Sequence, residues 1–387
     1  MSTIASRVAQ FGTNIFTEIS DLAQQHHAID LGQGMPDFDG PSEAIVAYAR
    51  ALQSGEHNQY APARGALALR QAVARHAQTD YGLTADPDKG VLITPGATNA
   101  LFVATMGLVD PGDEVVIIEP FFDVYAANVI LAGATPVYVP LRPPNWTFDP
   151  AELRAAFSAK TRLIIVNTPH NPTGRVFTLA ELTCIAELCQ KFDVTVIFDE
   201  VYEKLLFAGV RHIPFAALPG MFERTITIGS AGKLFGMTGW MVGWAYGPPD
   251  LIRGLFQAYQ FAAYTVNHPA QMAVAHAFTL PEVFAEYYAR YAPKRDLLLQ
   301  GLRAAGIKAY PPEGAYFIMA DFSDIFAGDD IAFARHLITQ IGVACIPPSA
   351  FFGLSHRHIG SKQARFSFCK SDATLREASE RLARLRR

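Results

Sequence analysis

Lys233 stands at the end of Gly229-Ser-Ala-Gly-Lys233, a run of small residues that follows the β-branched stretch Thr225-Ile-Thr-Ile228. The stretch predicts a short strand. The small residues predict a stiff turn with room for a bulky ligand beside the lysine. A lysine amine attacks carbonyls usefully only where burial or neighbouring cations lower its pKa. Taken alone, Lys233 reads as a surface lysine on a glycine-rich turn. Four other segments change that reading. Leu92-Ile-Thr-Pro-Gly-Ala-Thr98 passes from a strand into the apolar helix Asn99–Leu108. Gly96, Ala97 and Thr98 then lie at a helix N-terminus, where free N–H groups and the dipole favour a phosphate. Phe122 follows the strand Val115–Ile118 and can stack on a flat ring. A buried strand ending at Asn167 runs into a proline-punctuated loop that presents Asn171. Asp199 closes the apolar strand Val194-Thr-Val-Ile-Phe198, with Tyr202 just beyond. A carboxylate there is costly to bury unless it meets a cation.

These segments supply what an aldehyde cofactor carrying a phosphate and a pyridine ring needs, the ring nitrogen being the cation for Asp199. Each residue also has a plainer role when taken singly. Asp199 can cap a helix beginning near Val201, Tyr202 can be a core-edge tyrosine, and Asn171-Pro172 is a common turn signal. Arg365, inside the apolar run Ala364-Arg-Phe-Ser-Phe368, can pair with any nearby carboxylate. Their joint order favours the cofactor reading.

In that order, from Leu31-Gly-Gln-Gly-Met-Pro-Asp-Phe-Asp-Gly-Pro41 to Phe368, the chain resembles the class I pyridoxal-phosphate aminotransferases of fold type I. The branch most similar is that of kynurenine, glutamine and methionine aminotransferases and cysteine-conjugate β-lyases. The resemblance implies that Lys233 forms the Schiff base with pyridoxal 5′-phosphate and that Asp199 partners the pyridine nitrogen. It implies that Asn171 and Tyr202 bond the ring hydroxyl and that Phe122 stacks on the ring. Gly96, Ala97, Thr98 and Ser230 match the phosphate cup. Arg365 matches the arginine that grips the substrate α-carboxylate, and Asn171, Gly34 and Phe16 lie on the substrate side. Tyr60 and Tyr264 match residues lent to a neighbouring subunit, which implies a homodimer with shared sites. One position departs from the family pattern: eight residues after the lysine, where the family carries a lysine or arginine for the phosphate, stands Met241.

The implied activity is transamination between a neutral, apolar or aromatic L-amino acid and a 2-oxo acid. Carbon–sulfur β-elimination and a non-catalytic cofactor-binding role are the alternatives. Small amino and oxo acids are the expected partners, with neither nucleic acid nor membrane.

Composition agrees. The chain has 387 residues, half of them hydrophobic, and a net charge of −4 with acids and bases mixed, so nucleic-acid binding is not suggested. Met1–Gln10 lacks the pattern of a secretion signal, and no apolar run approaches the ~20 residues of a membrane span. The four cysteines and eleven histidines show no metal-ligand spacing, so no metal is expected. Buried free thiols fit a reducing cytoplasm.

From about Ala44 to Leu280, apolar strands alternate with helical patterns. Strands are predicted at 91–94, 114–118, 135–139, 162–167, 194–199, 224–229 and 241–246, and helices at 98–108, 123–132, 150–158 and 178–190. That alternation predicts an α/β fold with a mostly parallel, seven-stranded sheet buried on both faces. Ligands of such sheets bind at the C-terminal strand ends. A helical stretch at about 281–305 leads to strands at 316–320, 343–346 and 364–368, which read as a smaller α+β domain. Residues 44–280 are thus expected to form the large domain, and 1–43 with 281–387 the small one.

Overall fold

The computed structural model describes residues 4–207 and 209–386. Seven strands build the large sheet: Val91–Pro95 (β1), Glu114–Glu119 (β2), Thr135–Pro140 (β3), Thr161–Asn167 (β4), Thr195–Asp199 (β5), Thr225–Ser230 (β6) and Val242–Tyr246 (β7). Their spatial order is β1-β7-β6-β5-β4-β2-β3. β3, β2, β4, β5 and β6 pair in parallel, and β7 alone runs against both its neighbours.

The strands read as near-continuous apolar runs because both faces are covered. Val116, Ile164, Val166, Val196 and Phe198 point to one face, where they pack with Leu182, Ile185 and Cys189 of the helix Leu179–Phe192. The alternate residues Val115, Ile117, Leu163, Ile165 and Ile197 point to the other. There they meet Ala100, Leu101 and Ala104 of the helix Gly96–Leu108, and Ile252 and Leu255 of the helix Pro249–Ala262. The helix Leu179–Phe192 starts where Thr178 and Glu181 form a reciprocal capping box and ends at Asp193 in the left-handed region.

Beyond the large sheet, Phe317–Asp321 runs antiparallel to Gln363–Ser367 and to Lys308–Ala309. Ile29–Asp30 pairs in parallel with Val343–Ala344, which ties the N-terminal segment to the C-terminal part of the chain.

Several expected boundaries move. The stretch 281–305 is two helices, Pro281–Ala289 and Tyr291–Ala304, and the helix expected at 150–158 ends at Ala155. The strand expected at 343–346 stops at Ala344, because Pro347 and Pro348 lead into a 3₁₀ turn; Ile346 keeps a single bridge to Arg365. β7 begins at Val242, since Met241 closes a 3₁₀ turn with φ 50°. No helix follows Asp199: residues 201–204 form a turn. β6 runs through Ser230 and passes directly into one helical turn, Ala231–Leu234, so Lys233 stands on helix and not on a loop.

Candidate active site

β1, β4, β5 and β6 run in the same direction and end together. Gly96 follows β1, Asn167 closes β4, Asp199 closes β5 and Ser230 closes β6. Around these ends lies a cavity of about 280 Å³, lined by Lys233, Asp199, Asn171, Tyr202, Ser230, Gly96, Ala97, Thr98, Phe122, Gly34, Phe16 and Arg365 among others.

Lys233 enters from the helical turn after β6. Its Nζ donates to the Gly34 carbonyl oxygen at 3.1 Å and lies 5.6 Å from the centre of the Tyr316 ring. Loss of solvation pushes the amine down from its ordinary value, helped by Arg365, while Cys369 and Asp199 act against it. The buried Asp199 carboxyl accepts from the Tyr125 hydroxyl at 2.6 Å and from the Val201 N–H at 3.3 Å. Burial pushes this carboxyl up to about 6, although Tyr125, Val201 and Lys233 each pull it down. Asp199 is therefore short of positive charge.

Arg365 is 1 % exposed. It donates from Nη1 to Asn171 Oδ1 at 2.9 Å and from Nη2 to the Gly32 carbonyl at 2.5 Å, while its buried Nε has no protein partner. Phe317, Phe16 and Phe351 surround the guanidinium at 4.3, 5.0 and 5.2 Å from their ring centres. Burial pushes Arg365 down to about 10. A guanidinium held from behind, with apolar rings about it, is built to receive a carboxylate.

At the opposite end, Gly96 opens the helix Gly96–Leu108 with φ +72°. β7 passes directly beneath: a Cβ on Gly243 would lie 2.4 Å from the Gly96 carbonyl carbon and 2.5 Å from the Ala97 nitrogen. The first-turn N–H groups and the Ser230 hydroxyl form a cup for an anion. Met241 lines it too, its Cε 3.2 Å from where a Cβ on Gly96 would stand. Among the described residues lining the cavity, Lys233 and Arg365 are the only lysine or arginine side chains, and both lie outside the cup.

Of the residues singled out from the sequence, Tyr60 and Tyr264 alone are absent from the lining. They lie 80 % and 53 % exposed and meet each other edge to face at 5.8 Å. Several lining residues escaped sequence reasoning. Tyr125, three positions after Phe122, stands in the first turn of the helix Val124–Leu131 and was detectable only from that place. Asn167 ties two strand ends together, donating to the Asp199 carbonyl and accepting from the Asn171 N–H, both at 2.8 Å. Gln33 and Thr238 lie in or beside motifs read from the sequence but were not singled out, and Phe317 carried no signal.

An electrophile at Lys233, a cation at Asp199, a phosphate at the Gly96 cup and a carboxylate at Arg365 would each meet a group with unused capacity. The residues present fit pyridoxal phosphate together with an amino acid. This combination, on a mostly parallel α/β sheet, defines a fold type I pyridoxal-phosphate enzyme.

The chain belongs to the class I and II aminotransferase family, whose sequence pattern matches residues 26–382. Members depend on pyridoxal phosphate, and the chain is an aminotransferase. It is 39 % identical to the kynurenine–oxoglutarate transaminase of Dictyostelium discoideum, over 99 % of this chain and 96 % of that one. It is also 39 % identical to the methionine aminotransferase of Escherichia coli, over 98 % of each. The solved structure of N-succinyldiaminopimelate aminotransferase from Mycobacterium tuberculosis superposes with a TM-score of 0.95 at 43 % identity, covering 99 % of this chain and all of that one.

Proposed function

We propose that this aminotransferase exchanges the amino group of a neutral, apolar or aromatic L-amino acid of the methionine, glutamine, phenylalanine or kynurenine type with a 2-oxo acid. The observation that carries this reading is the cavity's charge. Arg365 accounts for the α-carboxylate and Lys233 for the reacting centre, and among the described residues the lining offers no other lysine or arginine to a carboxylate on the substrate side chain. Phe16, Phe122 and Phe317 offer apolar surface instead.

Pyridoxal phosphate, when bound, supplies the aldehyde and the electron-withdrawing ring that make an amino acid's α-proton removable. Lys233, whose poorly solvated amine is pushed down from its ordinary value, would hold the cofactor through its Nζ, and the same Nζ would serve as the base for the substrate's α-proton. Asp199, its carboxylate fixed by Tyr125 and Val201, would hold a proton on the ring nitrogen by charge. Asn171 and Tyr202 would bond the ring oxygen, and Phe122 would lie against the ring. Gly96, Ala97, Thr98 and Ser230 would hold the phosphate. Arg365, oriented by Asn171 and Gly32, sets which Cα bond the lysine meets.

In this reading residues 44–280 bind the cofactor, and 1–43 with 281–387 form the smaller domain. Tyr60 and Tyr264 serve the site of a second copy in a homodimer, and the enzyme works in the cytoplasm.

The test is a panel of amino donors against several oxo acids. Methionine, glutamine, phenylalanine or kynurenine should give a higher kcat/KM than aspartate or N-succinyldiaminopimelate. A preference for either of the latter would overturn the substrate class. Release of pyruvate and ammonia from a cysteine conjugate, without an acceptor, would mark β-elimination.

A further inference from the structure

The turn after β5 faces two ways. Asp199 and Tyr202 enter the cavity, while Glu200 and Glu203 point away from it into a polar network. Both glutamates are 4 % exposed. Glu203 accepts from His76 Nε2 at 2.8 Å and from the Tyr81 hydroxyl, two residues of the helix Leu67–Tyr81. Glu200 meets His212 Nε2 at 2.8 Å and accepts from the Tyr246 hydroxyl, at the end of β7, at 3.1 Å. The Tyr81 ring touches both imidazoles, with centres 5.6 Å from His76 and 5.7 Å from His212, and so joins the two halves. His76 also faces Asp80, at 3.3 Å, with Lys204 paired to Asp80 and the Phe278 ring alongside.

Such a network adds little net stability, because desolvation offsets most of the charge attraction. Its bonds are directional, however. The turn itself supplies only two backbone bonds, Glu203 N–H to the Glu200 carbonyl at 2.9 Å and Leu205 N–H to the Tyr202 carbonyl at 2.8 Å, so side-chain bonds add to what fixes its orientation. Rotating the turn to free Glu203 would swing Tyr202, its neighbour, out of the cavity.

We propose that His76 and Glu203 form a positioning pair for this enzyme, fixing the turn so that Asp199 and Tyr202 reach the cofactor. The proposal rests on the roles given above to those two residues. His76 is itself pushed up: burial opposes its charge, but Glu203 and Asp80 more than compensate. Its contribution is therefore complete below the ordinary histidine value and fades as pH rises through the raised one. Glu203, held down to about 2 against its burial chiefly by His76, stays ionised throughout.

The experiment measures how fast bound pyridoxal phosphate leaves the full-length holoenzyme on dialysis, between about pH 6 and 9, a span that brackets ordinary histidine titration. Parent, His76→Leu, His76→Gln and Asp199→Asn enzymes are compared. His76→Leu should release cofactor about tenfold faster than the parent at low pH, the scale of coupling within one network. His76→Gln keeps a donor toward Glu203, so it should recover most of the loss. It should also lack the parent's rise in release rate with pH. Equal release by parent and folded His76→Leu at every pH would overturn the pair. Should His76→Leu not fold, identical pH profiles for parent and His76→Gln would do the same. Fast release from Asp199→Asn beside indifferent His76 variants overturns the pair alone; an indifferent Asp199→Asn overturns the site assignment with it.

Discussion

Burial makes a charge costly on both Lys233 and Asp199, and a bound group of the right kind would relieve each cost. Lys233→Ala should abolish turnover and the visible absorbance of lysine-bound cofactor; near-normal transamination by that variant would sink the assignment. Asp199→Asn should fold normally and strongly slow α-proton removal in single-turnover measurements. Unchanged rates would reduce Asp199 to an acceptor for Tyr125 and Val201. Met241 stands half-exposed beside Gly96, at the cup proposed for the phosphate, where no lysine or arginine of the described lining reaches. A charge-assisted hydrogen bond contributes roughly 1.5–3 kcal/mol, so Met241→Lys should hold the cofactor about ten- to a hundredfold more tightly. Turnover at saturating cofactor should change little, because the phosphate stands away from the reacting carbon. Equal dissociation constants would show the cup already compensated.

At the scale of elements, the site depends on how closely β7 passes beneath the helix Gly96–Leu108. Gly243→Ala would press a methyl group onto the Gly96–Ala97 peptide and should destabilise the fold by about 1–3 kcal/mol, as overpacking does. Cofactor retention should fall with it; a variant matching the parent in urea midpoint and retention would show that the helix can shift. The loop after β4 carries a second test. His170 bonds Thr173 at 2.8 Å and is held down to about 3, by burial first and by Arg175 second. A histidine kept neutral in the fold contributes stability above its unfolded pKa, near 6.5, and loses it progressively as pH falls toward 3. His170→Asn removes that titration. Its urea midpoint should therefore decline less steeply than the parent's between those limits, and parallel declines would count against the account.

For the whole molecule, the exposed Tyr60–Tyr264 pair is an expensive surface for a lone chain and a useful one for a dimer. The full-length chain should sediment as a dimer at working concentration, and Tyr60→Phe should release cofactor faster than the parent. A fully active monomer would refute the shared site. No helix among the described residues is long and apolar enough to cross a membrane.

The seven strands and the residues at their C-terminal ends were legible in the sequence, because β-branched runs and glycine breaks are local signals. So was the departure at Met241, once the resemblance supplied the family pattern and the intact flanking residues fixed the register. Local signals misplace boundaries where a neighbour decides them, as at the helical turn under Lys233 and the break between Ala289 and Tyr291. Tertiary structure alone decided what lies between sites far apart in sequence. Arg365 meets Asn171 across 194 residues and Gly32 across 333, and Tyr125 reaches Asp199 across 74. The coupling of His76 to Glu203 spans 127. No periodicity records such contacts, because they follow from how whole elements pack and not from what any one of them prefers.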